Sequence, residues 1–312
     1  MMTGAHYGHI IKHLETTHLD ALPVPVVRHN VAGRFRAKTQ EVLALREEVQ
    51  KLRLEAEGRF ERALGAVQVK DWGETGFEVR SSALRHVGRR LDAARHNPGA
   101  SAIWRHLADN GKGFVRICDA GFNVWVPGRY KRIPAVDGVA YWDSADLLEV
   151  CPDVTKRFAD CRFGDDFRGR VQNGWLLMPC SGQVYGIIGS VVMAGPSLEG
   201  QVVSNHVIRI APRADAKLRA GYLLTALGHP RLGRPLVKAL AFGSSVPEID
   251  LDELKVFGVV RLEPREEEAI ADLAEEGSTK RAKADVLEGE LGRDAGELVD
   301  KFLAGDNRDF VV

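Results

Sequence analysis

The sequence predicts an α+β fold: a mixed β-sheet with flanking helices, accompanied by two long helices. Three observations predict it. Two segments repeat their aliphatic residues at heptad spacing. Between them lie Val- and Ile-rich runs bounded by Gly, Pro and Asp, the composition of strands and turns. A short end piece also occurs twice, each time just before a long helix.

The first end piece, residues 7–27, reads YGHIIKHLETTHLDALPVPVV, and the second, residues 242–260, reads FGSSVPEIDLDELKVFGVV. Tyr7-Gly8 matches Phe242-Gly243, Ile11 matches Val246, and Leu14 matches Ile249. Leu19-Asp20-x-Leu22-x-Val24 then matches Leu251-Asp252-x-Leu254-x-Val256. The first long helix is expected over 35–64, with Val42, Leu45, Val49, Leu52 and Ala56 at a and d positions. The second is expected over 264–303, with Ile270, Leu273, Ala284, Leu287, Leu291 and Leu298 in one heptad frame. Pro264 ahead of a run of Glu suits a helix start, where the missing N–H costs nothing and carboxylates meet the positive end of the dipole. Gly277, Gly289, Gly292 and Gly296 weaken this helix, each by about 1 kcal/mol against Ala if truly interior. Between the long helices, shorter helices are expected over 77–95, 101–110 and 217–240. Strands are expected over 113–117, 121–126, 174–178, 183–194 and 202–210. The chain then divides into an end piece (1–33), a helix (34–66), a mixed domain (67–262), a second helix (263–305) and a tail (306–312).

Composition narrows the function classes. Of 312 residues 45% are apolar, enough to bury a core and exclude wholesale disorder. Four cysteines, at 118, 151, 161 and 180, exclude a disulfide scaffold, and with no C-x-x-C they read as apolar core residues rather than zinc ligands. No apolar run approaches ~18–20 residues and the start lacks signal-peptide character, so a cytoplasmic location away from membranes is expected. The zero net charge hides a partition: residues 80–262 carry 25 Lys/Arg against 17 Asp/Glu, and residues 263–312 carry 7 against 15. A basic middle suits a polyanion and an acidic helical tail suits a protein, although unlike charges also attract within one fold.

The catalytic motifs are missing. There is no G-x-x-x-x-G-K-[ST]. The glycines of SGQVYGIIG (181–189) are read as sheet bulges. His6, His9, His13 and His18 lack an H-E-x-x-H frame, so no metal site is assigned. Ser181 lacks a G-x-S-x-G elbow. Asn97-Pro98-Gly99-Ala100 lacks the second Pro and the aromatic of an amino-methyltransferase motif. No nucleophile, base and stabiliser assemble, so no catalytic residue is assigned and the chain reads as a binder.

Several blocks, in order, carry a family resemblance: FEVRSSALRHVGRRLDAARHNP, VPGRYKRIP, DSADLLEVCPD, NGWLLMPCSGQVYGIIGSVV, VVSNHVIRIAP and AGYLLTALGHPRLGRPLVKALAFGSSVPEIDLDEL. They resemble the specificity subunit of type I restriction–modification systems over nearly the whole chain, most specifically across 173–245. The resemblance implies that 67–262 is a complete target recognition domain and 1–33 the tail end of a preceding one. It implies that the long helices are spacers packing as an antiparallel coiled coil. The sequence thus resembles a half-length or N-terminally truncated subunit, for which pairing of two copies is one expectation and pairing with another recognition subunit the other. Double-stranded DNA, DNA methyltransferase (modification) subunits and a motor-nuclease subunit are the implied partners. S-adenosylmethionine and ATP are expected in those partners, and no cofactor in this chain. Helices of roughly 30–40 residues span about 45–60 Å, longer than one turn of B-DNA, about 34–36 Å.

Candidate DNA contacts follow, each with its plainer reading. Arg129, Lys131 and Arg132 form a basic loop after Pro127-Gly128, for phosphate or simply solvated. Arg168 and Arg170 flank Gly169 in another loop. Ser181, Gln183 and Tyr185 lie on a turn, where Gln can read adenine, or are ordinary turn polarity. Ser204, Asn205 and His206 interrupt an aliphatic run and demand partners; His206 is assigned to DNA and Asn205 to the fold. Ser244 and Ser245, after Gly243, suit phosphate or a tight turn. Arg89 and Arg90 read as surface charges. Val42, Leu45, Val49, Leu52, Leu287, Leu291 and Leu298 are the expected helix-interface residues. Two rival readings remain: a coiled-coil scaffold or inhibitor of modification subunits that reads no DNA, and a fragment of a fused restriction–methylation enzyme.

Overall fold

The computed structural model describes residues 20, 24–67, 76–82, 90–129, 131–150, 152, 154–160 and 169–311. In chain order the elements are α1 (His29–Leu64), α2 (Pro98–Asn110), β1 (Phe114–Arg116), β2 (Phe122–Trp125), β3 (Pro134–Trp142), β4 (Arg157–Phe158), β5 (Leu176–Pro179), β6 (Val192–Met193), β7 (Val202–Val203), β8 (Val207–Pro212), α3 (Ala220–Gly228), α4 (Arg234–Lys238), β9 (Ala241–Phe242), β10 (Glu248–Ile249), α5 (Leu251–Lys255), β11 (Gly258–Val260) and α6 (Pro264–Leu303). The fold is α+β. It forms two compact units, Met1–Leu43 with Leu287–Val312, and Ala44–Val286.

In the smaller unit the start of α1 meets the end of α6 in antiparallel sense. Val27 and Phe310 form an antiparallel bridge. The Arg28 N–H donates to the Asp309 carbonyl and the Val311 N–H to the Val26 carbonyl, both at 2.8 Å. The buried Phe310 ring lies 4.9 Å from that of Phe302. Lys38 reaches Glu290 and Asp294 one helical turn apart. Val42 is buried here, whereas Leu287, Leu291 and Leu298 are half-buried.

The larger unit is organised by a four-stranded antiparallel sheet of order β2-β8-β5-β6. Side chains alternate across a sheet, so each cross-strand row faces one side. The row Val124, Ile210, Leu176, Met193 faces the main core, formed with Ile103 and Leu107 of α2, Tyr222 and Leu223 of α3, and Leu236 of α4. The next row, Trp125, Arg209, Leu177, Val192, faces a second cluster built around Leu147, Val171, Val203 and Val207. β3 pairs with β4 antiparallel and β7 parallel, and β1 pairs with β11.

The long helices run antiparallel in this unit too: Arg46 pairs with Asp285, Lys280 with Glu48, and Arg59 with Glu266. Along α1, Leu45 is buried and Val49 and Leu52 are half-buried; the buried stripe then passes from heptad steps to four-residue steps through Ala56, Phe60 and Leu64. That change takes α1 into the main core, where the Phe60 ring lies 6.0 Å from Tyr222 and 5.5 Å from His229. In α6 the heptad frame holds only in part. Ile270 and Ala284 are buried, but Leu273 is half-buried and the small residues Ala271, Gly277 and Ala282 are buried instead. Small residues let the helix approach the sheet domain closely. A Cβ on Gly221 would sit 2.5 Å from the Ala271 carbonyl oxygen, and one on Gly195 2.9 Å from the Ala282 Cβ.

Several expected elements differ. The 183–194 run is a strand only at β6, because turns occupy 184–189 and Gly182 and Gly189 take left-handed φ of 145° and 77°. β3 forms where the sequence shows no strand pattern, because Pro134, Asp137 and Gly138 interrupt it. Of the helix expected over 77–95, residues 77–80 and 90–92 have no helical structure, Ser81 and Ser82 are helical, Ala93–His96 form a 3-10 turn, and 83–89 lie outside the described residues. The 217–240 run resolves into α3 and α4. Asn97-Pro98 proves to be a helix start: the Asn97 side chain accepts the Gly99 N–H at 3.2 Å and Pro98 takes the first turn of α2.

Candidate nucleic-acid interface

Strand direction gathers the loops. β2 and β5 both run antiparallel to their shared neighbour β8, so both end where β8 begins. Residues 126–129 with 131–133, 180–191 and 204–206 therefore leave one end of the sheet. The turn between β9 and β10 joins them: Ser181 bridges Glu248, the Gly182 N–H donates to the Pro247 carbonyl at 3.1 Å, and the Ile249 N–H donates to the Cys180 carbonyl at 2.8 Å.

Arg129 and Lys131 are exposed on the first loop. Arg132 donates to the Tyr141 hydroxyl at 3.3 Å and lies over its ring, 5.5 Å from the centroid. Among the described residues no carboxylate partners these three cations. On the second loop Gln183 is exposed, its carbonyl accepting the Gly186 N–H at 2.9 Å, and Tyr185 is 86% exposed, an aromatic ring left in solvent. Ser181 is half-buried. Ser244 and Ser245 are exposed in the β9–β10 turn, where Gly243 has φ 100°.

His206 is exposed on a fixed backbone. Its carbonyl accepts the Cys180 N–H at 2.9 Å and the Ser144 hydroxyl at 3.4 Å, and its own N–H donates to the Ser204 hydroxyl at 3.2 Å. The buried Ser204 thus finds its partner in the loop itself. Arg170 is engaged rather than presented: it pairs with Asp160 and donates to the Gly200 carbonyl at 2.9 Å. Arg168 lies outside the described residues, as do Cys151, Cys161 and Arg89.

Two arginines escaped the sequence reading. Arg90 is not a surface charge but a half-buried clamp. It forms a two-pronged pair with Asp92 at 2.8 and 2.7 Å, donates to the Leu240 and Ala241 carbonyls, and lies 5.4 Å over the Phe242 ring. Arg209 is fully buried and donates to the carbonyls of Ser204, Val207, Val203 and Gly169. Its I-R-I setting reads as an ordinary half-exposed strand, so only a second layer over that face reveals it.

Burial pushes the Cys180 thiol above its ordinary pKa, away from thiolate. A cavity of about 270 Å³ lies in the larger unit with apolar walls including Val49, Val192, Leu224, Leu273 and Gly277, and is lined by none of the candidate DNA contacts. No helix among the described residues is long and apolar enough to cross a membrane.

No family model matches the chain, and no curated protein matches it. Among solved structures, the S subunit of a type-I restriction–modification system from M. genitalium is similar at 12% identity and a TM-score of 0.41, over 97% of this chain and 66% of that one. The HsdS subunit from Thermoanaerobacter tengcongensis is similar at 15% identity and a TM-score of 0.39, over 89% and 57%. The chain spans less than two thirds of the length of either.

Proposed function

We propose that this chain is a non-catalytic DNA-sequence recognition subunit of a type I restriction–modification complex. One observation carries the reading: the loops bearing Arg129, Lys131 and Arg132, Ser181 to Tyr185, His206, and Ser244 and Ser245 meet at one end of a rigid sheet. The family's sequence blocks across 173–245 support it, because they supply most of that end.

The division of labour follows from chemistry. The cations of 129–132 neutralise phosphates and give salt-dependent affinity without sequence information. Gln183 and His206 offer hydrogen bonds to base edges, and the exposed Ser244 and Ser245 reach backbone oxygens. The long helices dock methyltransferase subunits and hold a second recognition domain at a distance, supplied by another copy or another subunit. S-adenosylmethionine and ATP chemistry belongs to the partners, including the motor-nuclease subunit, and this chain works in the cytoplasm.

The test is a binding selection from random duplex DNA, using the chain co-purified with its neighbouring modification subunit. A bipartite palindrome means two copies each read a half-site. An asymmetric bipartite motif means another recognition domain has joined. An intact complex that enriches no motif removes the DNA-reading function and leaves a scaffold.

A further inference from the structure

A fully buried arginine stands in a row of apolar residues, between Trp125 and Leu177 across the ladder. Burying a guanidinium is costly, and an aliphatic side chain would suit the face better for stability alone. The geometry points to a role for Arg209 beyond packing. Its fork donates to the carbonyls of Val203, Ser204 and Val207, which are the backbone of the turn that presents His206. It also reaches the Gly169 carbonyl at 3.4 Å, tying that turn to the 169–170 segment. Only a planar group with five donors meets so many carbonyls at once. Ser144 and Cys180 hold the turn at the His206 carbonyl, so His206 is fixed from two sides while its ring faces solvent.

We infer that Arg209 is a positioning residue for sequence recognition: it locks the 203–207 turn so that His206 meets a base edge in one fixed geometry. This rests on the reading of the loop end as a DNA interface. A fixed donor discriminates bases because a wrong edge leaves it unpaired, whereas a loose turn adapts to any edge. Arg209 itself touches no DNA, so non-specific affinity and its salt slope do not depend on it.

The experiment is the same random-duplex selection on the full chain with its modification subunit, comparing wild type, Arg209→Met and Arg209→Lys. The expected result is that Arg209→Met keeps affinity for unselected duplex, with an unchanged salt slope, and loses about 10- to 100-fold of its preference for the selected motif. Arg209→Lys recovers part of that preference. Hydrogen exchange at the 203–207 amides rises in the same order. A folded Arg209→Met complex that enriches the wild-type motif undiminished overturns the inference and leaves the DNA reading standing. A wild-type complex that enriches nothing removes both. Should Arg209→Met not fold, Arg209→Lys decides alone: one ammonium cannot hold four carbonyls, so unchanged motif strength with faster exchange at 203–207 overturns the inference.

Discussion

The two faces of the four-stranded sheet are built on different terms. The row Val124, Ile210, Leu176, Met193 is apolar throughout and meets helices. The row one residue along holds Arg209 among Trp125, Leu177 and Val192, and meets the cluster around Leu147, Val171, Val203 and Val207. The first face is chosen for area removed from water. The second gives up some of that area for a polar group that organises a turn. A buried charge placed where a hydrophobe would fit marks the side of a sheet that does something besides fold.

Truncation on either face tests this contrast with the largest expected effect. Leu176→Ala and Leu177→Ala each cost about 2–5 kcal/mol in denaturant unfolding, because both side chains are fully buried. They differ in function: folded Leu176→Ala selects the wild-type DNA motif, and Leu177→Ala, beside Arg209, selects it weakly. Equal blunting by both erases the distinction between faces. Next in size, Gly221→Ala drives a methyl to 2.5 Å from the Ala271 carbonyl oxygen and 2.8 Å from the Glu275 Cγ. It costs about 1–3 kcal/mol in the same unfolding measurement, on the helical side alone.

A smaller effect concerns pH on the helical side. Burial pushes the His229 pKa below its ordinary value of 6.5, and its Nδ1 accepts the N–H groups of Arg231 and Leu232 at 3.3 and 3.1 Å. The folded value lies below the unfolded one. His229 therefore contributes stability above pH 6.5 that is lost as pH falls through the folded pKa. Unfolding free energy falls between pH 7 and pH 5, and His229→Gln makes that fall shallower. The smallest stability change is expected at the loop end. Of the cations there, Arg129→Ala and Lys131→Ala shift stability by only about 0.5 kcal/mol per site or less, and adding Arg132→Ala, which takes a donor from the buried Tyr141 hydroxyl, costs about 1 kcal/mol more. The same triple variant flattens the logarithmic salt dependence of DNA binding by up to about 2.7, near 0.9 per lost phosphate contact. An unchanged slope is the outcome that a scaffold reading no DNA predicts.

The helical side was far more legible than the other. Heptad spacing in α1 and the aliphatic runs of β2, β5 and β8 announce themselves because burial on one stripe or face leaves a period. β3 leaves none: its chain carries Pro134, Asp137 and Gly138, and Gly138 is there because a Cβ would strike the Phe158 backbone at 2.3 Å. The glycine-rich 181–189 run supported a bulged strand equally well as the turns it forms. At the site, strand order alone unites Ser181, His206 and Ser245, positions far apart in sequence, and no local pattern predicts Ser181 bridging Glu248. Arg90 and Arg209 were illegible for one reason: an arginine reads as exposed unless its carbonyl partners are known.

Exposed loop residues at the sheet's end also bear on how such a protein changes over generations. Gln183, Tyr185, Ser244 and Ser245 project from turns whose ties to the fold run through backbone groups: Gly182 N–H to Pro247, Gly186 N–H to Gln183, Ile249 N–H to Cys180. Side chains there are replaceable without disturbing the ladder or the core. Mutation can therefore rewrite what the end of the sheet prefers while the scaffold keeps its stability margin. Arg209 lies on the other side of that divide, and its exchange is expected to be rare among otherwise divergent chains of this fold.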